Sequence, residues 1–599
     1  MRIPGIAALA LALAACGGGG GGGTSAPPTA STPPTPPGPS STIFETPESI
    51  TRFLATASFG ATPGDISRLQ GTDASAWYVD QLEQPVTLTL PIITDFVSEA
   101  TTEDQSFGFR SIAPTVAFWS NAVEGPDQLR QRMTFALSQI MVISDANAAL
   151  LQNQPQAMGY YRDILAQNAF GNFRALLEEV TYSPAMAYYL TYLGNLPADA
   201  ETGRQPDENY AREVMQLFTI GLVELDDAGT PVLDGDGDPI ETYSSDDIDG
   251  LARVFTGMDV DNENPYRDPT VLTRRLRVDD SRHSTLEKSF LGTTIPANTP
   301  GEESISRALD TLFQHPNVGP FIGRQLIQRF TASDPSPAYV ERVASAFNRG
   351  DYVLPDETRV GEGLRGDLTA TLAAILFDAE ARIEDASLSD RFGKLREPVL
   401  RFLQWARAFA VDGSSPELAP ILFDTSSANA LAQHPYRSSS VFNFYRPGFV
   451  APGTESGKLG MTVPELQIVN ASSTPGYVNF MSYFIFGAAR SFQSETFLRQ
   501  FFEGTRFLDG LEERARRALV ADYLDELDIA DDPEALVEHL DVLLAHGALG
   551  GATKAGIVEL IGEIAVPEDG ADDDNESRYR RIQLAIVMTM TAPEYLVQR

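Results

Sequence analysis

A chain of 599 residues with a single cysteine, Cys16, must hold its fold together without disulfides. The same fact removes thiolate nucleophiles, cysteine-bound zinc, iron–sulfur clusters and c-type haem attachment from everything that follows residue 16. Stability has to come from packing. The means are present, since 43% of residues are hydrophobic and 9% aromatic. The five histidines are His283, His315, His434, His539 and His546, and no two stand at the i, i+4 spacing of a helical zinc-binding pair. No metal and no cofactor is assigned.

The position of Cys16 is itself informative. Arg2 precedes an apolar stretch from Ile6 to Ala15 that is too short to span a bilayer and has the character of a signal-peptide core. It ends in Leu13-Ala14-Ala15-Cys16, which resembles the bacterial lipobox, so residues 1–15 are expected to be removed and Cys16 lipidated. Gly17, where an aspartate would signal retention, points to the outer membrane of a Gram-negative envelope. Seven glycines, Gly17 to Gly23, lead into a run of Pro, Thr, Ser, Ala and Gly that ends at Thr42. Such a segment cannot bury apolar surface and reads as a solvated linker over 16–43, with a stretched reach of roughly 80 Å. The body is then 44–599.

Charge narrows the partners. With 82 acidic against 44 basic residues the net charge is -38, which repels phosphate backbones and excludes nucleic acid. No stretch after the linker approaches the roughly 18 apolar residues of a membrane-spanning helix. The membrane is therefore expected to be met through the lipid alone.

Helical signals dominate the body. Thr46-Pro47-Glu48 and Thr62-Pro63-Gly64-Asp65 each supply a cap, a proline for the first helical position and an early acid. Further helical patterns run from Asp127 to Ser144, Gln156 to Asn168, Phe173 to Val180, Pro184 to Leu193 and Pro206 to Ile220. The spacing predicts a mainly α fold, a large multi-helical body with a small β-hairpin insertion from Thr230 to Tyr243. A C-terminal helical subdomain over about 500–599 is one way to divide it. Asp234, Asp236 and Asp238 at the hairpin tip imitate the start of a calcium loop. Pro239 stands at the position that needs glycine, and Ser245 at the one that needs glutamate, so the turn is preferred. Gly361, Gly363 and Gly366 match a dinucleotide fingerprint but follow no convincing strand. No nucleophile elbow and no phosphate-binding P-loop is present.

Several longer strings carry a resemblance. They include Leu129-Arg-Gln-Arg-Met-Thr-Phe-Ala-Leu-Ser-Gln139, Ala169-Phe-Gly-Asn-Phe-Arg174, the segment from Pro206 to Gly221, and Phe255-Thr-Gly257. Downstream follow His315-Pro-Asn317, Arg365-Gly-Asp-Leu368, Gly393-Lys-Leu-Arg-Glu-Pro398, Ser440-Val-Phe-Asn-Phe444 and Pro464-Glu-Leu-Gln-Ile468. Together they resemble the bacterial exported family catalogued as domain of unknown function 1800, over about residues 50–599. The resemblance implies an exported, largely α-helical protein without an assigned activity. It also implies the company of a second exported family similar to the alkaline phosphatase and sulfatase superfamily. One departure stands out: His283 is followed by Ser284, where the family tends to have aspartate.

In the segment from Pro206 to Ile220, Tyr210, Val214, Leu217 and Phe218 form an apolar stripe, and Asn209, Arg212, Glu213 and Gln216 line the opposite side. Glu208 stands four residues before Arg212, the favourable order for a helical ion pair. A cleft on this stripe would make Glu208, Arg212, Glu213 and His283 the catalytic candidates, with Asn209, Gln216, Lys288, His315 and Arg365 as binding candidates. The preferred reading is a charge network that knits helices together, because Arg130, Arg132, Arg365, Asp367, Arg396 and Glu397 carry similar paired charges. Under that reading, removal of Arg212 strands buried carboxylates. His283 lies among Asp279 and Asp280, which would raise its pKa. His539 and His546 read as surface residues. The chain is thus expected to be an envelope lipoprotein with a binding or accessory role, the alternative being a hydrolase of an extracellular polymer.

Overall fold

The computed structural model describes residues 42–99, 107–146, 148–261, 268–382, 392–411, 422, 424–486, 521–567 and 575–599. Cys16 and most of the linker lie outside them. The first helices begin where their caps demand. Thr46 accepts the amide of Ser49 to open Pro47–Ala57, and Thr62 accepts that of Asp65 to open Pro63–Leu69, each with proline in the first turn. Helices Gln128–Ser138 and Pro184–Tyr189 lie within the expected segments, and Pro155–Gln167 and Phe173–Thr181 overrun theirs by one residue. The fold is mainly α, and no helix among the described residues is long and apolar enough to cross a membrane.

Two apolar cores organise the body. The first gathers residues from Phe44 to Phe377, including Leu129, Met133, Tyr161, Phe173, Leu326 and Phe347. The second is an aromatic stack in which Trp119 meets Phe402 at 5.3 Å and Phe402 meets Phe484 at 5.1 Å. Helices Pro398–Ala408, Ser473–Ile485, Pro533–Leu540 and Glu576–Thr591 build it together with Phe59, Phe118 and Phe135. The C-terminal helices thus share their core with residues from the start of the body. Helix Gln128–Ser138 serves both cores, sending Leu129 and Met133 into the first and Phe135 into the second.

Strands are short two-stranded ribbons. The one that matters for the site pairs Lys394–Leu395 antiparallel with Val597–Gln598, in register Lys394 with Gln598. The segment from Thr230 to Tyr243 folds back on itself at the isolated bridge of Leu233 with Pro239, and two more bridges, Leu225 with Pro231 and Val223 with Glu241, tie it to the residues before it. Pro231 and Pro239 have no N–H to extend a ladder, which is why this hairpin makes no continuous strand pair. Its tip is a side-chain turn: the Asp234 carboxylate accepts the amides of Asp236 and Asp238 at 2.9 and 3.0 Å. No cluster of acidic or histidine side chains suited to a metal occurs among the described residues.

Phe402 is 1% exposed at the centre of the aromatic stack. Phe402→Ala is expected to lower stability by about 3 to 5 kcal/mol, read as a shift of the denaturant midpoint with an unchanged slope.

Candidate functional site

The helix expected from Pro206 to Ile220 is shorter, Asn209–Gln216. Asp207 accepts the Asn209 amide and starts it late, and Gly221, at φ 73°, closes it by donating to the carbonyl of Met215 at 3.0 Å. Its apolar stripe is buried as expected, with the Tyr210 hydroxyl 2.7 Å from that of Thr181. The polar stripe divides. Arg212 and Glu208 form an ion pair of 3.2 Å at the surface, their side chains 45% and 42% exposed. Glu213 turns inward to 7% exposure, where burial raises its pKa against the pull of Arg212, and its Oε2 finds no partner. Gln216 accepts the Tyr243 hydroxyl at 3.2 Å, and Asn209 reaches Thr191 at 3.5 Å.

The surroundings of His283 favour its neutral form. Its ring is buried, Nδ1 lies 2.9 Å from the Thr256 carbonyl and Nε2 3.2 Å from the Ser304 hydroxyl. Burial lowers its pKa, which overturns the expected upward shift. The adjacent acids are engaged elsewhere: Asp279 accepts from Ser281, and Asp280 from the Gly301 amide. Lys288 is buried too, donating to the carbonyls of Ser284 and Leu286 at 2.9 and 3.2 Å. His315 ends helix Gly301–Gln314, and Arg365 donates to its carbonyl at 3.0 Å while lying between the rings of Phe313 and Phe347. Among the described residues no hydrogen bond or ion pair joins His283, Lys288, His315 or Arg365 to Glu208, Arg212 or Glu213. None of Glu208, Arg212, Glu213 and His283 lines a described cavity. The glycine loop after Val360 holds no phosphate cradle either. Asp367 occupies the start of helix Leu368–Leu376 and takes the amides of Glu362 and Ala370 itself.

The knitting network exists, at another place. Lys394, fully buried, pairs with Glu465 and lies 3.4 Å from Glu397. Glu397 Oε2 accepts from Gln139 at 2.6 Å and Gln433 at 2.7 Å, and Glu465 accepts from Ser333 at 2.9 Å. Arg132 donates to the Arg329 carbonyl, and Arg329 to that of Gln139 at 2.9 Å. Burial alone would raise the pKa of Glu397, but Lys394, then Arg132, Gln433 and Gln139, hold it down at about 2. Arg132 and Gln139, Lys394 and Glu397, and Glu465 come from three of the strings that carried the resemblance, brought together in one buried seam.

Residues 52–597 match the family described as Protein of unknown function (DUF1800). The chain belongs to that family. No curated protein and no solved structure matches it.

Beside the seam, this DUF1800 chain has a cavity of about 520 Å³ lined by Arg52, Arg396, His546, Gly547, Glu594 and Arg599, among others. Arg396 donates to Gln404 at 2.6 Å and to His546 Nε2 at 2.5 Å, and stacks 4.7 Å over Tyr595. His546, expected at the surface, is 4% exposed and sits at φ 61° directly after the π-helical turn Asp541–Ala545. Burial, with Arg396 and Arg52 beside it, pushes its pKa well down, so the ring is neutral. No periodicity in the sequence marked this cavity. The only local signal was Arg396 inside a string already noted.

Removing Lys394 strands two buried carboxylates, so Lys394→Ala is expected to cost about 3 to 5 kcal/mol. Arg212→Ala, at an exposed pair, is expected to cost under about 1 kcal/mol by the same thermal melting assay. The stabilising share of Glu397 has a definite sign with pH. Its folded pKa of about 2 lies below the ordinary 4.5, so that share is present above 4.5 and lost as pH falls through about 2. Glu397→Gln is expected to flatten the acid limb of the stability curve in that window.

Proposed function

We propose that this DUF1800 protein is an outer-membrane lipoprotein, anchored through Cys16, that works as a binding or accessory component beside an exported partner. A partner similar to the alkaline phosphatase and sulfatase superfamily fits this role. The observation that carries the binding reading is the chemistry of the 520 Å³ cavity. Its lining offers donors in Arg52, Arg396, His546 and Arg599 but no serine, threonine, tyrosine, cysteine or lysine that could act as a nucleophile. The lone pair of His546 Nε2 is taken by Arg396, which removes the imidazole as a general base. Glu594 is the single carboxylate there, where glycoside hydrolysis ordinarily uses a facing pair. The alternative, a hydrolase using Glu208, Arg212, Glu213 and His283, has less to support it, since the exposed ion pair and the buried ring share no hydrogen bond and line none of the described cavities.

The anchor and the role are tested together. Cys16→Ser is expected to move the protein from the membrane to the soluble fraction, because no other segment supplies an anchor of comparable strength. Retention of that variant in membranes after a high-salt wash would refute the lipid anchor. Chemical cross-linking in intact cells, followed by detergent extraction, is expected to recover an exported partner. Turnover of a bound molecule by the purified protein would overturn the binding role.

A further inference from the structure

The 520 Å³ cavity brings three arginines, Arg52, Arg396 and Arg599, against one carboxylate side chain, Glu594. Arg396 is 4% exposed, yet its Nε has no partner and no carboxylate lies within ion-pair distance among the described residues. By contrast, Lys394 and Arg407, equally buried, have carboxylates at 3.4 and 3.3 Å. Arg52 makes one contact, to the His546 carbonyl at 3.3 Å. The tautomer of His546 follows from its neighbour: a guanidinium can only donate, so Nε2 accepts and the ring proton sits on Nδ1. That Nδ1–H also lacks a partner. A buried donor left unsatisfied is costly, and Arg396 Nε and His546 Nδ1 are two such donors, both closed to solvent, while half-buried Arg52 lines the cavity with its single contact.

On the other side, Glu594 uses one oxygen to accept from Thr553 at 2.8 Å and from the Gly550 amide at 3.3 Å. Its second oxygen, Oε2, is unpartnered. A carboxylate in the lining repels a second anion, so the ligand group next to Glu594 must donate. The volume is far larger than an inorganic ion needs and falls within the range of small-molecule sites.

From these groups we propose that the cavity binds a small hydroxylated oxyanion, its carboxylate, sulfate or phosphate held by the guanidinium groups of Arg52 and Arg396, with a neighbouring hydroxyl donating to Glu594. An acidic sugar has this chemistry. The assignment rests on the binding role proposed above and names its ligand class. The framework around the site is stiff: Gly547, at φ 76°, has room for no side chain without approaching Glu48 Cγ to 3.0 Å. The C-terminal strand carries Val597 past the cavity on the ribbon formed with Lys394–Leu395.

Titration calorimetry of the body with galacturonate, glucose 6-phosphate and galactose tests this. At least one acid is expected to bind about tenfold or more tighter than galactose, and the tighter acid separates a carboxylate site from a phosphate site. Arg52→Gln, whose single contact leaves the fold intact, is expected to weaken that binding about tenfold or more at an unchanged melting temperature. Ala548→Phe, which fills the cavity without touching a charge, is expected to abolish it. Acid binding that survives both variants overturns the site. Galactose binding as tight as the acids and lost in Ala548→Phe overturns the anion class while leaving a ligand-binding cavity in place. Absence of binding by every probe at concentrations on the order of 10 mM overturns the ligand class proposed. Conversion of any probe to product would instead remove the binding role itself.

Discussion

A single ammonium group, that of Lys394, sits between the two halves of this protein with no exposure to solvent and two carboxylates to neutralise. Its partners arrive from far along the chain. Glu465 is 71 residues away, and Gln139, which holds Glu397, is 258 residues from it. Apolar packing tolerates small slips, because dispersion contacts are many and individually weak. A buried charge does not, since a misplaced partner leaves an ion in low dielectric at a cost of several kcal/mol. The seam therefore acts as a register mark: the helix carrying Arg132, the helix carrying Arg329, the start of helix Pro398–Ala408 and the turn carrying Glu465 must all dock together.

What the sequence made legible is local, and what it concealed is long-range. Thr46, Thr62, Gly221 and Asp367 act on backbone groups within five or six residues, so the elements they start or stop can be read from composition and order. The buried seam is closed by a lysine, with Arg132 and Arg329 donating to backbone carbonyls, where the preferred idea had arginine–carboxylate pairs knitting the helices. That idea pointed to Arg212, because helical spacing shows ion pairs at i, i+4 and nothing of partners brought close by folding. The two histidines failed for the same reason. Asp279 and Asp280 stand close to His283 in sequence, yet the ring is bonded to Thr256 and Ser304, and burial outweighs the pull of Asp280. His546 lies in an acidic stretch, yet its ring faces two arginines.

Lys394, Arg396 and Glu397 stand within four residues and go to two destinations. Lys394 and Glu397 close the seam, and Arg396 lines the cavity with its backbone amide bonded to the Leu596 carbonyl at 2.9 Å. The cavity is thereby fixed to the most constrained part of the body. This is the arrangement that recognition by rigid donors requires, because side chains already held in place lose little entropy when a ligand arrives. Gln404 braces the cavity wall at two points, holding Arg396 at 2.6 Å and the Leu544 carbonyl, in the π-helical turn before His546, at 2.9 Å.

A net charge of -38 and a cationic cavity do not contradict each other, because they act over different distances. Beyond about 8 Å in physiological salt the surface charges are screened, and what an approaching molecule senses is the average of the acidic exterior. A polyanion, which must lay many charges along that exterior, meets repulsion at every step. Under the proposed binding, a small anion crosses the screened layer once and then meets Arg52 and Arg396 at short range, where little water remains to weaken the interaction. The acidic surface thus selects by size and the buried donors by charge. Both properties follow from where the chain spends its 44 basic residues: some in the interior, neutralising the seam or waiting around the cavity, which leaves the outer surface more acidic than composition alone would make it.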